Sequence, residues 1–452
     1  MKKLYLAAIA GNLGMLSVGQ FFGWSSPSLP ILMQGTDEYP VHLISEEASW
    51  VASLLTFGSA VGAITCTTIV NVFGRKKTML FTAIPSIISW LMIAFATSSW
   101  ELYISRFISG LAAGIAYSAT PMYLGEISPA HIRGNLTSML TVAAKIGTLM
   151  IYIIGPFLSI QNLAFVSLIA PCLFILAFIW LPESPYYLMY RNDKQKAVNS
   201  LVQLRGKKNI YKEANDIERF VKADLTNKAD FRELLCVPGN RRALIITSCL
   251  GIIQQMSGSQ AVLQYAQIIF DQANSNLEGK YMTMILGAVQ LIVSSICMFI
   301  TDYSGRKSLL IISCLGAACS TAMVATYFNL QYNHINTNHL VWLPTTGVIM
   351  YIIMYAVGLA SLPYTLLSEL FPINMKALGS TIILVLINLL GFIVTTSYLI
   401  IADIAGVHVP FWIFTACSFA GALFIFLYIP ETKGKTLEQI QVQLQRLSKV
   451  RT

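Results

Sequence analysis

Three short landmarks occur twice in this chain, in the same order and displaced by roughly half its length. Gly74-Arg75-Lys76, Glu126 to Pro129 with Arg133, and Pro182-Glu183-Ser184 return as Gly305-Arg306-Lys307, Glu369 to Pro372 with Lys376, and Pro430-Glu431-Thr432. A chain of this kind consists of two homologous halves laid head to tail. Twelve long apolar runs fall between residues 5 and 429, six to each half, and each is near the ~20 residues that cross the hydrocarbon of a bilayer. The expectation is an all-α membrane protein with twelve transmembrane helices in two pseudo-symmetric six-helix bundles. Duplicated halves of this kind build alternating-access transporters.

The balance of residues agrees. Only 11% of the 452 residues are charged while 55% are hydrophobic, too few charges to cover a soluble protein of this length. The boundaries read as an N-terminal bundle over 1–181, a cytoplasmic helical linker over 182–241, a C-terminal bundle over 242–429 and a short tail over 430–452. With an even number of spans, nearly all of the 30 Lys and Arg fall on one side, which the positive-inside rule makes cytoplasmic, together with both termini. The net charge of +9 is thus a topology signal and gives no support for nucleic-acid binding.

No nucleotide-binding glycine loop, metal-ligand cluster or catalytic constellation is visible. The five histidines are scattered and the eight cysteines form no CxxC pair. Neither an enzyme nor a cofactor is expected, and the protein is expected to be a monomer in the bilayer.

A sugar presents many hydroxyls, so a pocket for one needs amide side chains, which donate and accept at once, and an aromatic face. The seventh apolar run offers Gln254 and Gln255 before Ser257-Gly258, then Gln260, Gln264 and Gln267. The last three share one helical face. Interhelical hydrogen bonding would account for the same residues, and Gly258 can break the helix. In the fifth run Lys145 lies deep in the apolar stretch, where a cation costs roughly 2.5–3.5 kcal/mol. Thr141, one turn earlier, is on the same face. Lys145 either snorkels to the interface or faces a cavity, where it would meet sugar hydroxyls or a substrate anion.

The landmarks, together with Arg106-x3-Gly110-x3-Gly114, Tyr123 to Gly134, Gln254-Gln255-Met256-Ser257-Gly258 and Pro430 to Glu438, resemble the sugar porter family of the major facilitator superfamily. The match covers essentially the whole chain. Gly19 to Pro30 and Ser49 to Leu55 look most like its facilitated trehalose transporter-like branch in insects. The resemblance implies that Arg75, Glu126, Arg133, Glu183, Asp302, Arg306, Glu369, Lys376 and Glu431 form an ion-pair network closing the cytoplasmic side, and that Tyr265 is an extracellular-gate aromatic. It further implies that Thr141, Gln254, Gln255, Gln260, Gln290, Tyr364 and Asn388 occupy substrate-contacting positions.

The chain departs from the family pattern at several of these. Asn71-Val72 stands for Asp-Arg, Tyr303 for Arg, Gln260 for Asn, Tyr364 for Trp, Ile387-Asn388 for Asn-Trp, and Ser25 for the Asp of proton-coupled members. The function expected is facilitative transport of a sugar such as trehalose or a hexose across the plasma membrane. A transporter-like sugar receptor with little flux and a carrier of organic anions or xenobiotics are the alternatives. The sequon Asn135-Leu136-Thr137 lies in an expected cytoplasmic loop. Asn135 should therefore carry no glycan, and a mass shift removed by glycosidase treatment would reverse the topology.

Overall fold

The computed structural model describes residues 2–35, 39–206, 210–226, 231–273, 277–303, 305–431, 433 and 439. The first half holds α1 (Lys2–Gln34), α2 (Ser45–Phe73), α3 (Arg75–Phe95), α4 (Ser99–Ile127), α5 (Ala130–Ile154), α6 (Ile160–Ser167) and α7 (Ile169–Phe178). Three short helices follow, α8 (Pro185–Tyr190), α9 (Lys194–Arg205) and α10 (Ile210–Thr226). The second half holds α11 (Phe231–Cys236), α12 (Pro238–Met256), α13 (Ser259–Gln264), α14 (Ala266–Gln272), α15 (Gly279–Tyr303), α16 (Arg306–Tyr332), α17 (Trp342–Val357), α18 (Leu362–Leu370), α19 (Ile373–Ala405) and α20 (His408–Tyr428).

Among the described residues ten helical stretches are long and apolar enough to cross a membrane. The other two expected spans are α4, diluted by Gly, Ser, Thr and Pro and carrying Arg106, and the interrupted run α12–α14. The chain falls into two compact units, Met1–Phe22 with Leu54–Lys228, and Gly23–Ser53 with Ala229–Thr452.

In the first unit glycine sets the helix spacing. A Cβ on Gly110 or Gly114 of α4 would lie 2.2 Å from the Leu55 carbonyl oxygen or 2.1 Å from that of Ser59. In return, one on Gly58 or Gly62 of α2 would lie 2.2 Å from the Phe107 carbonyl or 2.4 Å from that of Leu111. The backbones of α2 and α4 therefore touch directly, which in lipid is a main source of helix association. Arg106, one turn before Gly110, is wholly buried, and its guanidinium donates to the Phe21 carbonyl at 2.9 Å. Close approach recurs between α1 and α5, where the Thr148 hydroxyl donates to the Gly19 carbonyl at 3.0 Å.

Helices α8 and α9 start at side-chain caps. Ser184 accepts from the Tyr186 and Tyr187 amides ahead of Pro185, and Asp193 accepts from the Lys196 amide, as orphan N–H groups at helix starts require. Arg205 ties the linker to α4. It donates to the Ile127 carbonyl at 2.6 Å and pairs with Glu213 at 3.0 Å. Lys194 and Lys222, hydrogen-bonded to Glu218, hold its carboxyl down to about 2, so that pairing stays ionised at any physiological pH.

In the second unit α16 packs beside α17 and α20, with the Thr321 and Thr415 hydroxyls 2.9 Å apart. Gly258 separates α12 from α13 at φ 90°, a left-handed conformation that costs glycine nothing. It also leaves room for Phe414, whose ring atoms a Cβ there would meet at 2.4 Å. Behind that ring, Tyr398 stacks on Tyr265 with centroids 5.2 Å apart.

Gly114→Val puts a side chain where a carbonyl already sits. A cost of about 1–3 kcal/mol or more is expected, read as loss of the monodisperse peak after heating in detergent. Undiminished heat resistance would mean that α2 and α4 do not touch at this point.

Candidate functional site

The repeated landmarks fold into twin clusters, each inside one unit. In the first, the Arg75 Nε lies 3.0 Å from both Glu126 carboxylate oxygens and its Nη2 lies 3.0 Å from Oε1. The Ser184 hydroxyl donates to the same carboxylate, and the Tyr187 ring lies under the guanidinium, 5.3 Å from centroid to Cζ. Glu183 accepts from the Lys76 amide at 2.9 Å and the Ser184 amide at 2.8 Å. The Lys76 ammonium donates to the Ile179 carbonyl at 2.8 Å.

The second cluster repeats the plan. Glu431 accepts from the Arg306 amide at 2.9 Å and the Lys307 amide at 3.2 Å, while the Lys307 ammonium donates to the Phe426 carbonyl at 2.7 Å. In both copies, then, a glutamate from the end of the half accepts from the first N–H groups of a helix, where the backbone dipole favours an anion. The copies differ in strength. The Arg306 Nη2 lies 3.5 Å from Glu369 Oε1, and its Nε is buried with no hydrogen-bond partner among the described residues. They also differ at the turn. Gly74 has φ 95° whereas Gly305 has φ −68°, and what Gly305 supplies is space, since a Cβ there would lie 2.7 Å from Glu431 Oε2. Lys376 is exposed, and the side chains of Arg133 and Asp302 lie outside the described residues.

The polar residues of the seventh span gather around its break. Turning the chain at Gly258 strands the Gln254 carbonyl, because the Gly258 amide goes instead to the Gln255 carbonyl at 3.0 Å. The Ser257 and Ser259 hydroxyls donate to the Gln254 carbonyl at 2.8 and 3.2 Å. The Gln254 side-chain amide donates to the Leu359 carbonyl at 2.8 Å, which lies between α17 and α18. Both glutamines are buried, and the Oε1 of Gln254 and of Gln255 has no hydrogen-bond partner among the described residues. Gln255 and Gln260 flank Gly391 of α19, where a Cβ would lie 3.4 Å from each.

The other candidates are more dispersed. The Gln264 side-chain oxygen accepts from Ser25 at 3.2 Å, and the Gln267 backbone N–H donates to Ser26 at 3.1 Å, its side-chain Oε1 having no hydrogen-bond partner among the described residues. The Tyr265 hydroxyl donates to the Thr395 carbonyl at 3.0 Å, and the ring is fully buried. Gln290 on α15 is buried, Tyr364 on α18 is exposed, and half-buried Asn388 turns its amide to the Leu384 carbonyl of its own helix at 2.8 Å. On α5 Thr141 is exposed and Lys145 half-buried. Lys145 has no ion pair among the described residues. One candidate escaped the sequence reading: Gln20 of α1 is buried, and its Oε1 has no hydrogen-bond partner among the described residues. The available signal was an amide within the first apolar run.

The model of the family described as "Sugar (and other) transporter" matches residues 15–444. The facilitated trehalose transporter Tret1 of Bombyx mori is 32% identical over 444 residues, covering 97% of this chain and 86% of that protein. Tret1 of Drosophila mojavensis is 32% identical over 445 residues, and there the chain spans about half of the relative's length, 51%. Among solved structures, the inward-open xylose transporter of E. coli superposes with a TM-score of 0.81 at 23% identity, covering 97% of this chain and 99% of that one. This is the major facilitator fold, and the chain is a multi-pass membrane protein.

The unequal clusters make a comparison possible. Arg75→Gln leaves a nearly buried carboxylate without its cation and should cost about 3 kcal/mol. Arg306→Gln removes one long contact and should cost about 1 kcal/mol or less. Thermal unfolding of the two variants in detergent should rank them in that order, and the reverse order would mean the second pair is the stronger.

Proposed function

We propose, since this chain belongs to the sugar (and other) transporter family, that it carries a sugar across the plasma membrane by alternating access. The observation that carries the reading is the pair of buried amide oxygens on Gln254 and Gln255 beside a helix break, without protein donors among the described residues. A buried acceptor left unmatched costs about 1–3 kcal/mol, and a hydroxyl-rich ligand supplies the missing donors. Gln260, Gln290, Tyr364, Asn388, Thr141 and Lys145 complete the substrate-facing set, and Tyr265 gates it. The twin clusters act as latches, releasing and re-forming as the protein alternates, with both termini cytoplasmic.

Transport is facilitative in this reading. Ser25 stands where proton-coupled members carry a carboxylate, and its hydroxyl makes a neutral hydrogen bond to Gln264. Neither side chain gains or loses a charge near neutral pH, so no proton flux is tied to the cycle through them. Trehalose is favoured among sugars because the relatives at 32% identity are named for it. One observation favours an organic anion instead: Lys145, half-buried in α5 without a counter-ion among the described residues.

Counterflow in proteoliposomes separates the readings. Labelled trehalose or D-glucose should exchange at a rate indifferent to a clamped pH gradient. A requirement for an inward proton gradient would refute uniport, and exchange of anions with no sugar would refute the sugar reading. Lys145→Val should raise the half-saturating sugar concentration about tenfold, the loss expected for one charged hydrogen bond, and an unchanged value would remove Lys145 from the site.

A further inference from the structure

The second unit contains two interrupted helices, and their interruptions are joined. Between α17 and α18 the Leu359 peptide lies outside regular helix, and both its polar groups are held by side chains from other helices. Its amide donates to the Ser313 hydroxyl of α16 at 3.0 Å, and its carbonyl accepts from the Gln254 amide at 2.8 Å. The Ser313 hydroxyl spends its own proton on the Met354 carbonyl of α17 at 2.7 Å. Ser313 thus straddles the end of α17, donating on one side of the interruption and accepting on the other.

The chain continues at the other break. The Ser257 hydroxyl donates to the stranded Gln254 carbonyl at 2.8 Å, and it lies 3.2 Å from the Tyr351 hydroxyl of α17. A serine hydroxyl has one proton. With that proton on the Gln254 carbonyl, Tyr351 is the donor in the pair. Tyr355 stacks one turn further along α17, ring centroids 5.9 Å apart, with its hydroxyl beside the Gln254 and Ser259 side chains. Ser313, Ser257 and Tyr351 are each fully buried or nearly so. The links run from α16 through Leu359 to Gln254, then through Ser257 back to α17.

We propose that Ser313 and Tyr351 are positioning residues that fix the Gln254 side chain by bracing the two helix breaks as one body. Neither reaches the substrate. Each acts through a partner: Ser313 orients the Leu359 carbonyl that receives the Gln254 amide, and Tyr351 orients the hydroxyl that holds the Gln254 backbone. With its nitrogen committed to Leu359, Gln254 presents its Oε1 as an acceptor in one orientation. The inference rests on the proposed sugar site for its consequence in transport, but the brace itself exists without ligand.

The test has two arms, so that failure of the brace and failure of the sugar site are distinguishable. In sugar-free protein, Tyr351→Phe and Ser313→Ala should speed hydrogen exchange at the 259–262 amides roughly three- to fivefold, the equivalent of one net hydrogen bond. Unchanged exchange in both variants would overturn the proposal whatever the substrate. In trehalose counterflow, each variant should raise the half-saturating concentration by a similar factor at an unchanged maximal rate, and a changed maximal rate alone would count against positioning. Ser257→Ala replaces Tyr351→Phe should that variant not fold. Added to Ser257→Ala, Tyr351→Phe should contribute nothing further, and additive effects would show that the pair is not linked. Wild-type protein that exchanges no sugar would sink the substrate reading and leave the first arm to decide the brace.

Discussion

Every backbone carbonyl freed inside a bilayer must find a donor within the protein, because hydrocarbon offers none. That constraint governs where this chain can stop being helical. At Gly258 the break strands the Gln254 carbonyl, and two serine hydroxyls recover it. Between α17 and α18 the Leu359 carbonyl is recovered by the Gln254 side chain. The polar residues of the seventh span are in this sense structural first. They make irregular backbone tolerable at depth, and the acceptor groups left over are what a ligand can use.

The same economy of groups appears at the repeated landmarks. Glu183 and Glu431 accept backbone N–H groups at the starts of α3 and α16, as well as lying beside cations. A carboxylate so placed neutralises a helix end and fixes the loop, so its position is set by main-chain geometry. Glu126 and Glu369 are different, since their partners are side chains, and there the two copies have drifted apart in geometry.

Much of the fold was legible because apolar length and duplication are properties of the linear chain. The ends of α3, α5, α16 and α19 follow from Gly74, Pro129, Gly305 and Pro372, and the break at Gly258 from its dipeptide context. The glycine spacing of α4 was readable too, though its partner was not. Gly58 and Gly62 of α2 are recognisable as the opposing face only when the Gly110 and Gly114 backbone is seen against them. The site was legible as a vocabulary of amides and aromatics, while which atoms were already spent was not. Gln264 shares a face with Gln260, yet its side-chain oxygen accepts from Ser25, and Asn388 turns back on its own helix.

The sequence by itself determined that this chain is helical, that it is built from two halves, and that its charges and amides are collected at particular spans. Those are consequences of solvent preference and helix length, which each segment carries alone. Tertiary structure decided which hydrogen-bond capacity is consumed internally and which remains, the unequal grip of Arg75 and Arg306, and the joining of two distant breaks through Ser313, Leu359, Gln254, Ser257 and Tyr351. Hydrogen bonds between side chains and freed backbone depend on ångström-scale placement across helices remote in sequence, and no local pattern encodes that distance.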